Sequence, residues 1–356
     1  MNINFAIITL YNSINAGAYL QAYALKHVIE KYGEVYHIKT GARSLLLDQL
    51  KMIVKGLLKL QIKRVIADLM RLKTLYFCQR EFNIIKPYDV DDSYILIYGS
   101  DVIWNASKRN YYSFPILFGA RLSNKLRFSY APGVANATII DFFKHPRLIN
   151  SLQLFDYISV RDEHSRSVIS ELTGKPVSVM CDPCFLLTKQ DWETNIKSNE
   201  KLYNKPYIAM YIYASQITSQ TIKNIKKLSE IADLELYSLF NYYAWCQYNV
   251  MSVNVFNYYI NAKYVITSTF HGTVFAIIHN KQFVVVSENN EKVTQLITEF
   301  GLSDRQLTNS SSDKLREVLE KPIDYININR IWSVKRLESL KFIDDCIKAM
   351  TMEYTT

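Results

Sequence analysis

The 356-residue chain has no apolar run approaching the roughly 18 residues that a membrane span requires. Its first residues, Met1 to Leu10, lack the basic flank of a secretory leader and read as a buried strand, so no signal peptide is expected. Cysteine is scarce and odd in number, five residues without a disulfide framework, which suits a reducing cytoplasm. Cys181 and Cys184 do bracket Asp182-Pro183. A zinc site, however, wants a second such pair and a redox site wants a helix start, and the sequence offers neither. No metal ligands are therefore expected. Internal repeats and low-complexity stretches are also missing. What remains, at 49% apolar and 21% charged residues, has the make-up of a soluble globular protein long enough for two domains.

Acidic charge is in deficit, with 33 Asp and Glu against 42 Lys and Arg, for a net charge of +9. Most of the excess lies between Arg43 and Arg80, where nine basic and two acidic residues leave +7. Lys51, Lys55, Lys59 and Lys63 recur every four residues, a stripe on one helix face. Leu46, Leu50, Ile53, Leu57 and Leu60 form another face. Base-stacking aromatics are nearly absent from this segment, so nucleic acid is not the expected partner. Segment 43–80 fits an anionic membrane surface or an acidic lipid-linked substrate, and equally a solvated helix packed on its own domain.

The most informative run is Tyr264 to His279, centred on His271. Ala262 to Ile266 reads as a strand ending in small hydroxyl residues. Val274, Phe275, Ile277 and Ile278 read as a buried helix after Gly272. A histidine and a glycine then stand where a strand turns into a helix, a place where free amides and the helix dipole favour an anion. The pattern fits equally well a buried histidine that satisfies backbone groups.

Strand-like runs alternate with helical patterns throughout, predicting α/β layers with largely parallel sheets. Strands are expected at Phe5–Thr9, Val35–Ile38, Ser93–Tyr98, Leu126–Tyr130, Tyr157–Val160 and Val177–Cys181. After a weakly patterned seam over 188–205 they resume at Tyr207–Ile212, Leu234–Leu239, the run before His271, and Gln282–Val286. A long amphipathic helix, Arg330 to Met350, closes the chain. The expected architecture is two Rossmann-like domains facing across a cleft. Residues 1–190, with 43–80 as a helical insertion, form the first, 191–335 the second, and 336–356 a helix packing back. Asn15, Asp101, Arg161, Asp182 and His271 all fall at strand ends, where ligands of such sheets bind.

Six motifs in order resemble the polysaccharide pyruvyltransferase family. They are Asn15-Ala-Gly-Ala-Tyr-Leu-Gln-Ala-Tyr-Ala-Leu25, Gly99-Ser-Asp-Val-Ile-Trp-Asn105, Ser129-Tyr-Ala131, Ser159-Val-Arg-Asp162, Asp182-Pro-Cys-Phe-Leu186 and Thr269-Phe-His-Gly-Thr273. The resemblance implies a glycosyltransferase-B-like fold, phosphoenolpyruvate as co-substrate with no further cofactor, and a pyruvate ketal formed on a sugar. It also implies Arg161 and His271 as the site pair. The chain departs from the family pattern at Thr269-Phe270, where many relatives have Arg-Leu. Ser268 stands in a place often held by aspartate, Val102 replaces glutamine and Ala16 replaces tyrosine.

On this reading Arg161 offers a bidentate fork to phosphate or carboxylate. Gly272, Thr273 and Ser268 complete the donor site. His271 exchanges protons, a role suited to histidine near neutral pH. Asp101 is either a base acting on the acceptor or a turn residue. Trp104 is a sugar platform, and Asn15, Gly17 and Gln21 bind the acceptor. Asp182 is expected to fix a turn, and His27, His37, His145 and His279 to be structural. The acceptor is a sugar or lipid-linked oligosaccharide, which places the protein in the cytoplasm at the inner face of the membrane. A nucleotide-sugar glycosyltransferase and an inactive sugar-binding homologue remain as alternatives.

Overall fold

A computed structural model describes residues 3–12, 15–41, 45–122, 124, 126–195, 205–251, 257–287 and 290–355. Arg43 and the stretch 196–204 of the expected seam lie outside the described residues. By contacts the chain divides into two compact units. The first comprises Met1–Leu47, Tyr76–Leu187 and Ser333–Thr356, and the second Asp48–Leu75 and Thr188–Trp332. The sequence had suggested that all of 43–80 stays with the first domain; most of it, 48–75, belongs to the second unit.

The first unit is built on a sheet of β1 (Asn4–Ile8), β2 (Glu34–Ile38), β3 (Ile84–Ile85), β4 (Tyr94–Asp101), β5 (Arg127–Pro132), β6 (Tyr157–Val160) and β7 (Val177–Val179). Their order is β3-β2-β1-β4-β5-β6-β7, and every pair is parallel. In β1 the residues Phe5 to Ile8 are buried without alternation, as expected of a parallel strand covered on both faces. Trp104, Phe118, Phe142 and Phe155 fill the core on one side.

The second unit carries β8 (Tyr207–Tyr211), β9 (Glu235–Leu239), β10 (Tyr248–Val250), β11 (Tyr264–Thr267) and β12 (Phe283–Val285), ordered β10-β9-β8-β11-β12 and again all parallel. Ile208, Met210, Ile266, Val284 and Leu315 belong to its core. Each sheet reverses its winding once, between β1 and β4 in the first and between β8 and β11 in the second. The loops after those strands are where open α/β sheets receive ligands.

The closing helix runs Tyr325–Thr355, longer at both ends than its amphipathic pattern suggested. From Ser333 onward it belongs to the first unit. There Arg336 Nε donates to Leu186 O at 2.8 Å, and Ser339 Oγ accepts from Cys181 N at 3.1 Å. No described helix is long and apolar enough to cross a membrane.

Candidate active site

At the switch point of the first sheet, motif residues expected to touch ligand instead hold the strands together. Asn15 caps the helix Ala16–Ile29, its Oδ1 accepting from Gly17 N at 2.9 Å. Gln21, fully buried, donates to Thr9 Oγ1 at 3.0 Å and to Ala18 O at 2.8 Å, and accepts from Ser100 N at 3.3 Å. Thr9 Oγ1 donates in turn to Ser100 O, and Ser100 Oγ to Ala131 O. This buried chain ties the ends of β1, β4 and β5 to the first helix, which corrects the acceptor-binding role expected of Gln21. Trp104 is corrected too. It has no exposed surface, its Nε1 donates to Leu117 O at 2.9 Å, and its ring meets Phe155 edge-on at 5.5 Å, so no face is left for a sugar.

Asp101 ends β4 in the left-handed region at φ 72°, and Ala131 in β5 does the same at 52°. Non-glycine residues held this way store about 1–3 kcal/mol each and gather at functional edges. The Asp101 carboxylate is part-exposed and accepts from Val102 N at 2.8 Å, which makes it a turn residue whose acidic group still borders solvent.

The Arg161 turn is built from the next two strands. Ser129 and Ser159 bond each other's carbonyls reciprocally, both at 2.8 Å, and Ser159 Oγ also takes the Ala131 amide at 3.1 Å. The strand ends are thus fixed just before Arg161. Asp162 caps the helix Glu163–Thr173 through Ser165 N at 2.8 Å. Arg161 Nη1 stands 3.3 Å from Asp182 Oδ2, with side chains only 6% and 0% exposed. Asp182 Oδ1 meanwhile accepts from Cys184 N at 3.0 Å. Asp182, expected only to shape a turn, is therefore also the counter-ion of the predicted anion-binding arginine. Burial, with Asp182 nearby, pushes the Cys184 thiol well up, which suits an inert buried thiol. His164 Nε2 donates to Ala137 O at 3.0 Å and is committed to that backbone.

In the second unit β11 gives way to the helix Phe270–Ile278, so His271 and Gly272 lie inside its first turn rather than ahead of it. Thr269 is the cap, accepting from Gly272 N at 3.0 Å, and its carbonyl accepts both Thr273 N at 3.1 Å and Thr273 Oγ1 at 3.0 Å. The amides of Gly272 and Thr273, expected to serve a phosphate, are thus engaged within the turn. Thr267 Oγ1 donates to Tyr211 O at 2.8 Å, across to β8. Ser268 Oγ accepts from Tyr213 N and donates to Gln216 Oε1, joining the two loops at the switch point. His271, two residues after the Thr269 cap, is buried.

The remaining histidines play structural parts. His37 packs on Phe82 and Tyr11, and burial lowers its pKa to about 3. His279 lies 3.9 Å from Glu193, yet burial, with Lys189 and Lys281 adding to it, also lowers its pKa to about 3, so no ion pair forms near neutral pH. His27 stacks on Tyr23 and His145 on Tyr112.

A family model described as polysaccharide pyruvyl transferase matches residues 15–290. No curated protein matches the chain. Among solved structures, Arabidopsis thaliana UGT89C1 complexed with UDP-L-rhamnose is similar with a TM-score of 0.53 at 9% identity, covering 97% of this chain and 100% of that one. The Neisseria meningitidis UDP-GlcNAc 2-epimerase bound to UDP-GlcNAc gives 0.52 at 8% identity, covering 98% and 100%. At such identities the likeness concerns the fold, which is of the glycosyltransferase-B type.

Proposed function

Because this chain belongs to the polysaccharide pyruvyl transferase family, matched over residues 15–290, we propose that it moves the pyruvate unit of phosphoenolpyruvate onto two hydroxyls of a sugar in a cell-surface polysaccharide precursor. The observation that carries this reading is the Arg161 turn, a guanidinium fixed at a strand end beside a buried carboxylate. A donor bearing both phosphate and carboxylate calls for such a planar fork. Binding transfers part of that fork from Asp182 to the donor.

The reaction adds a proton to the methylene carbon of phosphoenolpyruvate, leaving C2 electrophilic. One sugar hydroxyl attacks C2 and gives up its proton, phosphate departs with the C–O bonding pair, and a second hydroxyl closes the ketal with loss of another proton. His271 exchanges protons with the reacting groups, and Asp101 takes the proton of an attacking hydroxyl. Ser268, Gly272 and Thr273 set the His271 turn, as Asn15 and Gly17 set the first helix; their part in binding is to position. A lipid-linked acceptor would put the enzyme at the inner face of the cell membrane.

Incubation with phosphoenolpyruvate and candidate lipid-linked saccharides should release phosphate and shift the saccharide's mass by one pyruvate ketal. Release of a nucleotide from a sugar nucleotide, without phosphate from phosphoenolpyruvate, would replace this reading with a glycosyltransferase. If neither ligand raises the melting temperature, the chain is an inactive homologue.

A further inference from the structure

In the helical pair Leu45–Leu58 and Ile62–Cys78, apolar side chains are left exposed while a charged pair is buried. In the second helix Asp68 and Arg71 are buried and joined at 2.7 Å. Arg71 donates to Phe240 O at 3.4 Å, and Thr74 to Met251 O at 2.8 Å. Asp68 and Arg71 therefore pack inward together with Val65 and Ala67. Ile62, Ile66, Leu69 and Met70, spaced i, i+4, i+7 and i+8, stand on the other face, each about half exposed.

The first helix adds to the same feature. Ile53 and Gly56 are buried among its described side chains, and Gly56 approaches Val65 so closely that a Cβ there would meet the valine methyl at 2.8 Å. Leu50, Val54 and Leu57 form an exposed stripe, and at the turn Leu58 and Leu60 are 81% and 84% exposed. Isolated surface leucines need no explanation, but two adjoining apolar stripes meeting at a bare turn do. The lysines expected on one helix face are divided, Lys51 and Lys55 on the first helix, Lys59 in the turn and Lys63 on the second, because the helix breaks after Leu58; all four are exposed.

We propose that this hairpin docks the protein on a bilayer rich in anionic phospholipid, with the leucine and isoleucine stripes at the acyl boundary and the lysines at the phosphates. Charge selects lipid over a second copy of the chain. A two-fold interface through this face would bring these four lysines close to their copies, whereas anionic headgroups neutralise them. The inference does not depend on the transfer reaction.

The test is co-sedimentation of the intact protein with phosphatidylcholine vesicles, with and without phosphatidylglycerol. Binding is expected only with phosphatidylglycerol present and should weaken with salt. Changing Lys51, Lys55, Lys59 and Lys63 to glutamate should lower the apparent affinity about a hundredfold or more. A second variant, with Leu57, Leu58, Ile62 and Ile66 changed to serine, should bind weakly although its charge is intact. Both should keep the parent melting temperature, since every altered side chain is exposed. Failure of the parent to sediment, or binding indifferent to both sets of changes, would overturn the proposal. So would light scattering that shows a parent oligomer dissolved by the same substitutions.

Discussion

In each unit a parallel strand gives way to a helix capped three residues on: Asp162 takes the Ser165 amide at 2.8 Å, and Thr269 takes the Gly272 amide at 3.0 Å. The two turns share this backbone logic and differ in what they bury. The first encloses a charged pair, Arg161 with Asp182, whereas the second is held by hydroxyls of Thr267, Ser268 and Thr269 just ahead of the buried His271. A buried charge depends on its partner, because losing one ion leaves the other uncompensated. A buried hydroxyl contributes only about 1 kcal/mol as a hydrogen bond. The charged turn should therefore couple binding to stability, and the neutral turn should keep them apart.

The sharpest separation should come from His271→Ala. Turnover is expected to fall by roughly 100- to 10,000-fold as proton transfer is lost. The melting temperature should move by little, as measured by phosphate release and thermal unfolding. Near-parental turnover would remove His271 from the reaction. Arg161→Ala, in contrast, should cost stability as well as donor binding, about 3–5 kcal/mol in urea unfolding, by removing the charge that faces the buried Asp182 carboxylate. Adding Asp182→Asn should return much of that loss, and no recovery would show that the pair is not what holds the turn. Arg161→Lys retains a charge without the fork, so calorimetry should show weak phosphoenolpyruvate binding.

Glycine contrasts the turns at smaller scale. A Cβ at Gly272 would lie 2.1 Å from Thr267 Oγ1, while one at Gly133, beside Arg161, would find nothing nearer than Asp162 Oδ2 at 3.6 Å. Gly272→Ala should cost about 1–3 kcal/mol by overpacking, and Gly133→Ala should be close to neutral. Equal effects on the urea midpoint would erase the contrast.

One property the units share gives the smallest effect. His37 in the first and His279 in the second have native pKa values of about 3, below the ordinary 6.5. The unfolded chain therefore binds protons that the folded one refuses. Stability is full above pH 6.5 and declines as the pH drops toward the native value. Between pH 6.5 and 5.5 each histidine should account for about 1 kcal/mol of that loss. Substituting either with asparagine should flatten this part of the profile, and an unchanged slope would mean that other groups set it.

The central strands were legible because buried parallel strands are largely apolar runs; Tyr157–Val160 matched at both ends. The edge strands Ile84–Ile85 and Tyr248–Val250 were not foreseen, since two or three residues carry no period. Arg161 stood out through its position after a strand. Its partner lies 21 residues on, where only folding brings it close. Gln21 and Trp104 were misread for a related reason. A motif marks residues that the fold or the chemistry needs, and only burial tells which; both are fully enclosed.

The division of the chain bears on how it can be assembled. The first unit takes its last residues from Ser333–Thr356, after the whole of Thr188–Trp332 has been threaded into the second. Cys181 and Leu186 find their partners Ser339 and Arg336 about 150 residues downstream. Such distant closures are slow to form. A ribosome releasing the chain in order thus has a complete second unit to offer before it has a complete first one. A fragment cut at Leu187 would leave the carbonyl of Leu186 and the amide of Cys181 without those partners, and should expose apolar surface normally covered by Ile343, Cys346 and Ile347. This enzyme is accordingly a poor candidate for expression as separate halves, however cleanly its two sheets divide.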